Sequence, residues 1–464
     1  MIEEEFSKMS EKISLEERVA RARAAQKQFE FATQEQADAA CRAVLKVVFD
    51  NAEKFGPMAA EESRMGSRED KIAKCRNKSA LIWNDLKDKK SCGIIRRIPE
   101  KKMLEIAKPM GVVASIIPST NPVVTQMSNG AYALKTRNAI IFSPHPRAVE
   151  CTNLLVGLFR DELKKLGLPE DLIQVVDEVS IEASAELMAA CDLVVATGGN
   201  DMVKSAYSSG KPAIGVGQGN VQTIIDENAD IAKAVGDIII GRSFDNGLIC
   251  LGEQCVHVPE SKLNEIVTEF KKQGAYIVED AEEKDKLREV CFPGGGAFSR
   301  FCVGNTAPEV AEQAGIADVP AGTRVLAAVV DGVGAADVLC REKLCPVMGI
   351  LPYKTFEEGV ANMVANLEYE GKGHSIGIHS ADDAHIEYAA IQCSVSRVVV
   401  NQPSGTTGGG SPTNGFTPTT TLGCGSWGNN SFAGNLSYEQ FMNITRVGYP
   451  YEESYLPDPN KAWL

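Results

Sequence analysis

Gly111-Val-Val-Ala-Ser-Ile-Ile117 carries no charge, and four of its seven residues are β-branched. A run that short and that apolar on both alternating faces reads as a buried parallel strand. Similar runs follow at Asn138-Ala-Ile-Ile-Phe142, Leu172-Ile-Gln-Val-Val176 and Asp192-Leu-Val-Val-Ala196, with helical stretches between them. That alternation is the signature of βαβ units on a parallel sheet covered on both faces, so the fold class is α/β. Further on, Val325-Leu-Ala-Ala-Val-Val330, Val347-Met-Gly-Ile-Leu351 and Val398-Val-Val400 imply a second sheet. Upstream, the first ninety residues read as helical. Thr33 and Gln36 form a capping box, and Ala37, Ala40, Cys41, Val44, Leu45, Val48 and Phe49 recur at helical spacing until Gly56-Pro57, where the helix is expected to stop.

The chain has 464 residues, 44% of them hydrophobic, which is room for two or three domains. Its 48 basic and 62 acidic residues give a formal charge of −14, which argues against a nucleic-acid partner. The basic run Lys87 to Lys102 reads as a solvated face. No apolar run approaches the roughly 18–20 residues needed to span a bilayer, and the acidic start Met1-Ile-Glu-Glu-Glu-Phe6 is unlike a secretion signal, so a cytoplasmic protein without membrane contact is expected. Thirteen scattered cysteines suit small buried residues in a reducing compartment better than a disulfide framework. Residues 404–433 are rich in Gly, Ser, Thr, Pro and Asn, but Phe416, Leu422, Cys424, Trp427 and Phe432 interrupt them, so an ordered loop at a site is favoured over a tether.

Three places could carry chemistry. Thr197-Gly-Gly199 follows a strand and precedes a helix, where free N–H groups suit a phosphate, although a plain turn has the same pattern. Gly215-Val-Gly217-Gln-Gly219 is only a partial dinucleotide fingerprint, because another apolar run follows it instead of a helix. Cys250 ends Phe244-Asp-Asn-Gly-Leu-Ile-Cys250, where a polar turn delivers a thiol, and a thiol reacts only as thiolate in a partly exposed, electropositive spot. Cys250, Cys255 and His257 lack a fourth ligand at zinc-like spacing, so no metal is expected.

In chain order, these pieces are Asn121 in Pro118-Ser-Thr-Asn-Pro122, the segment Leu134 to Ala148 with Ser143-Pro-His-Pro-Arg147, Thr197-Gly-Gly199, Phe244 to Cys250, Glu342-Lys-Leu-Cys-Pro346 and Leu422-Gly-Cys-Gly-Ser-Trp-Gly428. Together they resemble the CoA-acylating branch of the aldehyde dehydrogenase superfamily, with likeness to CoA-dependent succinate-semialdehyde dehydrogenases and to the aldehyde dehydrogenase half of bifunctional aldehyde-alcohol dehydrogenases. The resemblance implies an aldehyde dehydrogenase-like α/β fold. A Rossmann-type dinucleotide-binding domain would take residues 1–90 and 108–240, a catalytic domain 241–433, and an oligomerisation element 91–107 with 434–464, the last pairing subunits of a homodimer or homotetramer.

The same resemblance makes Cys250 the nucleophile and Asn121, with the Cys250 N–H, the oxyanion donor. It places Glu342 on the nicotinamide ribose, and Ser143, His145, Pro146, Arg147, Thr197, Gly198 and Gly199 around the adenosine end. The cofactor is NAD, with NADP tolerated because Pro146 stands where the family's NAD-selecting Glu would and Arg147 is near enough to meet a 2′-phosphate. At Gly215 hydrolytic members carry the Glu that activates water. Without it the acyl-enzyme should wait for a thiol, which makes coenzyme A the co-substrate. By the resemblance the favoured aldehyde is acetaldehyde, with succinate semialdehyde and propionaldehyde as alternatives. His374 in Gly371-Lys-Gly-His374 is the candidate for deprotonating that thiol, beside a purely structural role. The rival readings are a hydrolytic, CoA-independent aldehyde dehydrogenase and a silent scaffold of the same fold. Residues 1–16 read as a frayed terminus, or alternatively as a peptide addressing the chain to a bacterial microcompartment.

Overall fold

The computed structural model of the chain describes residues 13–452, 458 and 460–463, so most of the segment 1–16 lies outside the described residues. Four helices come first: Leu15–Phe29, Gln34–Asp50, Ala52–Ser63 and Arg68–Leu86. The capping box at Thr33 forms as read, with Gln36 N–H donating to Thr33 Oγ1 and Thr33 N–H to Gln36 Oε1. Its apolar stripe is buried except for Phe49, which is exposed. The expected stop is misplaced: the chain breaks at Asn51, whose side chain donates to the Val47 carbonyl at 2.8 Å, and Pro57 lies inside the next helix. A proline removes one N–H from that helix. Gly56 meanwhile lets it lie against Ile72, where an added Cβ would come within 2.6 Å.

Strands β1 (Gly93–Ile98) and β2 (Met103–Pro109) form an antiparallel hairpin. The run that opened the sequence reading is β3 (Val112–Ile117), buried throughout. With β4 (Ala139–Pro144), β5 (Ile173–Val175), β6 (Leu193–Thr197) and β7 (Ala213–Val216) it makes a parallel sheet in the order β5-β4-β3-β6-β7. Strand order reverses between β3 and β6, which opens a crevice at their carboxyl ends, the place where such sheets bind ligands.

The second sheet is also parallel. It contains β8 (Gln222–Ile225), β9 (Cys255–Pro259), β10 (Ala275–Ile277), β11 (Val325–Val329), β12 (Val347–Tyr353), β13 (Ile376–His379) and β14 (Val398–Val400), in the order β10-β11-β12-β9-β8-β13-β14. Here the boundary expected at residue 240 needs correction. β8 pairs with β9 and β13, and the helix Ile231–Ser243 buries Val235, Ile238 and Ile239 with Val256 and Phe270 of the second unit. The changeover therefore lies at residues 217–221.

Beyond a short antiparallel pair, β15 (Leu422–Cys424) and β16 (Ala433–Asn435), the strand β17 (Met442–Gly448) runs antiparallel along β2 and completes a three-stranded sheet. The segment before β17 belongs to the first unit, since Leu436, Tyr438 and Phe441 are buried in its core.

Candidate active site

Cys250 lies just past a turn in which Asp245, Asn246 and Gly247 all take left-handed conformations, with φ of 51°, 52° and 71°. Two consecutive non-glycine residues there cost on the order of 1–2 kcal/mol each, so something must hold the turn. The helix Arg68–Leu86 does so. Asp245 N–H donates to Asp70 at 2.7 Å, the Asp245 carboxylate accepts from Ser67 N–H at 2.9 Å, and both Lys71 and Lys74 pair with its other oxygen. All three ionic side chains are buried, and burial first, then Lys74, pulls the Lys71 amine down to about 8.

Beyond the turn, Cys250 lines a cavity of about 450 Å³ together with Asn121, Lys74, Lys78, Phe244 and part of the 404–422 segment. The glycine-rich segment is thus ordered at the site, as its aromatic residues suggested. Burial pushes the Cys250 thiol up to about 12, with the Glu342 carboxyl adding to the rise and the Arg397 guanidinium opposing it. Asn121 stands at the start of the helix Pro122–Lys135, and its Oδ1 accepts from Lys74. An ammonium only donates, so this bond fixes the amide's orientation and leaves its NH₂ group for the cavity.

Behind the thiol sits a second group of residues. Gly219 is wedged so closely that an added Cβ would lie 2.6 Å from the Cys250 carbonyl oxygen and 2.9 Å from the His374 ring. Its N–H donates to Glu342 at 3.0 Å, and burial raises the Glu342 carboxyl to about 7. His374 is fully buried, and neither ring nitrogen has a hydrogen-bond partner. Burial and the adjacent Arg397 hold it well below the usual histidine range, so the ring is neutral. Arg397 itself donates to the carbonyls of His374 and Gly423. His374 is therefore close to the Cys250 main chain but is not part of the cavity lining.

The other expected residues gather at the crevice of the first sheet. Thr197 ends β6, its Oγ1 is buried without a partner, and a Cβ at Gly199 would meet open space, whereas one at Gly198 would touch Met202. His145, Pro146 and Arg147 are exposed just past β4. Ser143 differs, being buried with its hydroxyl on Ser184 at 2.9 Å. Gly215 differs more: Tyr207 OH bonds both its N–H and its carbonyl, and an added Cβ would lie 2.9 Å from the Tyr207 ring. It is a packing glycine on β7, and a larger side chain there would displace Tyr207. The unpartnered hydroxyl and the open turn fit a dinucleotide's diphosphate.

Residues 5–287 match the family model described as aldehyde dehydrogenase family. A succinate-semialdehyde dehydrogenase (acetylating) from Clostridium kluyveri is 50% identical over 455 residues, covering 98% of this chain and 100% of the relative. The chain belongs to the aldehyde dehydrogenase family. Among solved structures of that family, the acetylating aldehyde dehydrogenase from Geobacillus thermoglucosidasius superposes with a TM-score of 0.91 at 39% identity, covering 96% of this chain and 97% of that one. A propionaldehyde dehydrogenase from Rhodopseudomonas palustris, with bound CoA and an acylated cysteine, gives 0.84 at 29% identity, covering 94% and 97%.

For this aldehyde dehydrogenase, sequence reasoning missed the groups that set the thiol's surroundings. Lys71, Lys74 and Lys78 did carry a signal, since their i, i+3, i+7 spacing puts three cations on one face of one helix. Arg397 opens the apolar run Val398–Val400, and a charge at the mouth of a buried strand was a second signal.

Proposed function

We propose that the chain is a CoA-acylating aldehyde dehydrogenase, converting a short-chain aldehyde, NAD and coenzyme A reversibly to acyl-CoA and NADH through a thioester on Cys250. The observation that carries this is one cavity in which Cys250 meets an amide turned by Lys74, with no carboxylate among its described lining residues. The Cys250 thiol gives its proton to water in the cavity, and the sulfur bonds to the aldehyde carbon as the carbonyl π pair moves to oxygen. The charge gathering on oxygen is taken up by the Asn121 NH₂ and the Cys250 N–H.

The bound nicotinamide supplies the hydride acceptor. Thr197, Gly198 and Gly199 are assigned its diphosphate, His145, Pro146 and Arg147 the adenosine ribose, and Glu342 the nicotinamide ribose. Arg147, exposed and next to that ribose, allows NADP as a second choice. No carboxylate lines the cavity among its described residues, and Glu342, behind the thiol, accepts from Gly219 N–H and is assigned to the ribose, so water is left without a base and the thiol of coenzyme A displaces the acyl group. Exchanging one thioester for another has little driving force, and the step runs both ways. His374, expected as the base for that thiol, is buried off the cavity lining and held well below the usual histidine range, so it is assigned the structural role of packing against Gly219 behind the Cys250 main chain. The hydrolytic reading lacks its carboxylate, and the scaffold reading leaves the oriented amide without purpose.

No helix of the described residues is long and apolar enough to cross a membrane. The sheet β1-β2-β17 is assigned to self-association. The test of the function is acyl-CoA formation matching NADH formation mole for mole. Cys250→Ala should abolish both. Cys255→Ala should retain them, because Cys255 is buried on β9 against Cys340. Equal losses from the two substitutions would contradict the assignment.

A further inference from the structure

The cavity around Cys250 holds a charge that the reaction above does not use. Much of its lining is apolar, supplied by Ala80, Leu81, Val124, Phe244, Ile249 and Leu251. Two charged side chains line it, Lys74 and Lys78, and no acidic one does among the described residues. Lys74 is paired with Asp245, which it shares with Lys71, and is engaged with Asn121. Lys78 instead donates to two neutral acceptors, the Gly409 carbonyl at 2.7 Å and the Gly410 carbonyl at 3.3 Å. An ammonium has three N–H donors, so two carbonyls leave one unspent.

Clasping a loop does not by itself explain a cation here. Two carbonyls can be held by a neutral donor, and Lys78, half-buried at the cavity wall, has no acidic side chain beside it in that lining. Burial and the nearby Lys74 pull the Lys78 amine down to about 8, so a carboxylate set against it would favour its charged form. Position along the helix adds direction. Lys74 holds the oxyanion donor, and Lys78 is one helical turn, about 6 Å, further along the same face. The turn it clasps, Gly409-Gly410-Ser411, lines the cavity as well.

We propose that Lys78 anchors a carboxylate at the far end of the substrate, so that the aldehydes this site prefers are short ω-oxo acids with two or three carbons between the two groups. This rests on the acylating function proposed above. It also changes the expected aldehyde, because acetaldehyde has nothing for Lys78 to meet.

The test compares succinate semialdehyde with butyraldehyde, the same chain length without the charge, in CoA-dependent NADH formation by the wild type, Lys78→Met and Lys78→Arg. The wild type should favour the acid in kcat/KM by about 10–100-fold, the worth of one charge-assisted hydrogen bond. Lys78→Met should erase that ratio through KM for the acid, and Lys78→Arg should restore most of it. A wild type without preference would overturn the proposal, and this comparison stands even if Lys78→Met does not fold. Equal losses on both aldehydes in Lys78→Met would also overturn it, showing that Lys78 only holds the Gly409–Gly410 turn. CoA-dependent NADH from neither aldehyde in the wild type would remove the acylating function itself, and the anchor with it.

Discussion

Asn121 serves as an oxyanion donor only if its amide is the right way round, and the Lys74 ammonium decides that because it can only donate, and so bonds the amide oxygen. Asn121→Ala should therefore lower kcat by roughly 10²–10³, the usual effect of deleting one such donor. Unchanged turnover would remove Asn121 from the site. The Cys250 thiol, pushed up to about 12 chiefly by burial, is neutral in the free enzyme near pH 7. Its alkylation by iodoacetamide should accelerate about tenfold per pH unit from pH 7 to 9, because only the thiolate reacts. A plateau below pH 8 would show a thiol already ionised at rest. Cys250 was marked in the sequence by the polar turn that precedes it, whereas the roles of both residues came from the resemblance of their motifs to the family's. Lys74 and Arg397 carried only a local signal as cations, since they act on the amide and the thiol from segments about fifty and over a hundred residues away, and nothing local marks that proximity.

At the scale of elements, the helix Arg68–Leu86 and the turn before Cys250 are one unit joined by Asp245. Removing that carboxylate leaves Lys71 and Lys74 buried without a counter-charge, a loss of about 3–5 kcal/mol for a broken buried pair. Asp245→Ala should show this in denaturant unfolding, and a change below about 1 kcal/mol would mean that backbone contacts alone hold the turn. Past β4, Arg147→Ala should raise KM for NADP while barely moving KM for NAD; equal changes would separate Arg147 from the 2′-phosphate. Local chemistry made element starts readable, as at Thr33. Ends and sheet membership were harder. Nothing in the apolar run Val221–Ile225 shows that β8 pairs with β9 and β13 instead of extending the first sheet, and the tight packing of Gly215 against Tyr207 is equally invisible from the chain alone.

Taken whole, the molecule brings together two parallel sheets, the first with the crevice proposed for the dinucleotide and the second preceded by the Cys250 turn. The segment 217–221 between β7 and β8 is the seam, with Gly219 pressed between Cys250 and His374. The alternation of β-branched runs and helices announced both sheets, whereas the closeness of Glu342, His374 and Arg397 to Cys250 depends on how the second sheet's strands are ordered. The central claim is that hydride transfer leaves an acyl-enzyme which water cannot clear, and a single mixing experiment addresses it most directly. With aldehyde and NAD but no coenzyme A, the enzyme should release about one NADH per active subunit in a burst, nearly stop, and resume when coenzyme A is added. Sustained NADH formation without coenzyme A, with the free acid as product, would contradict the account.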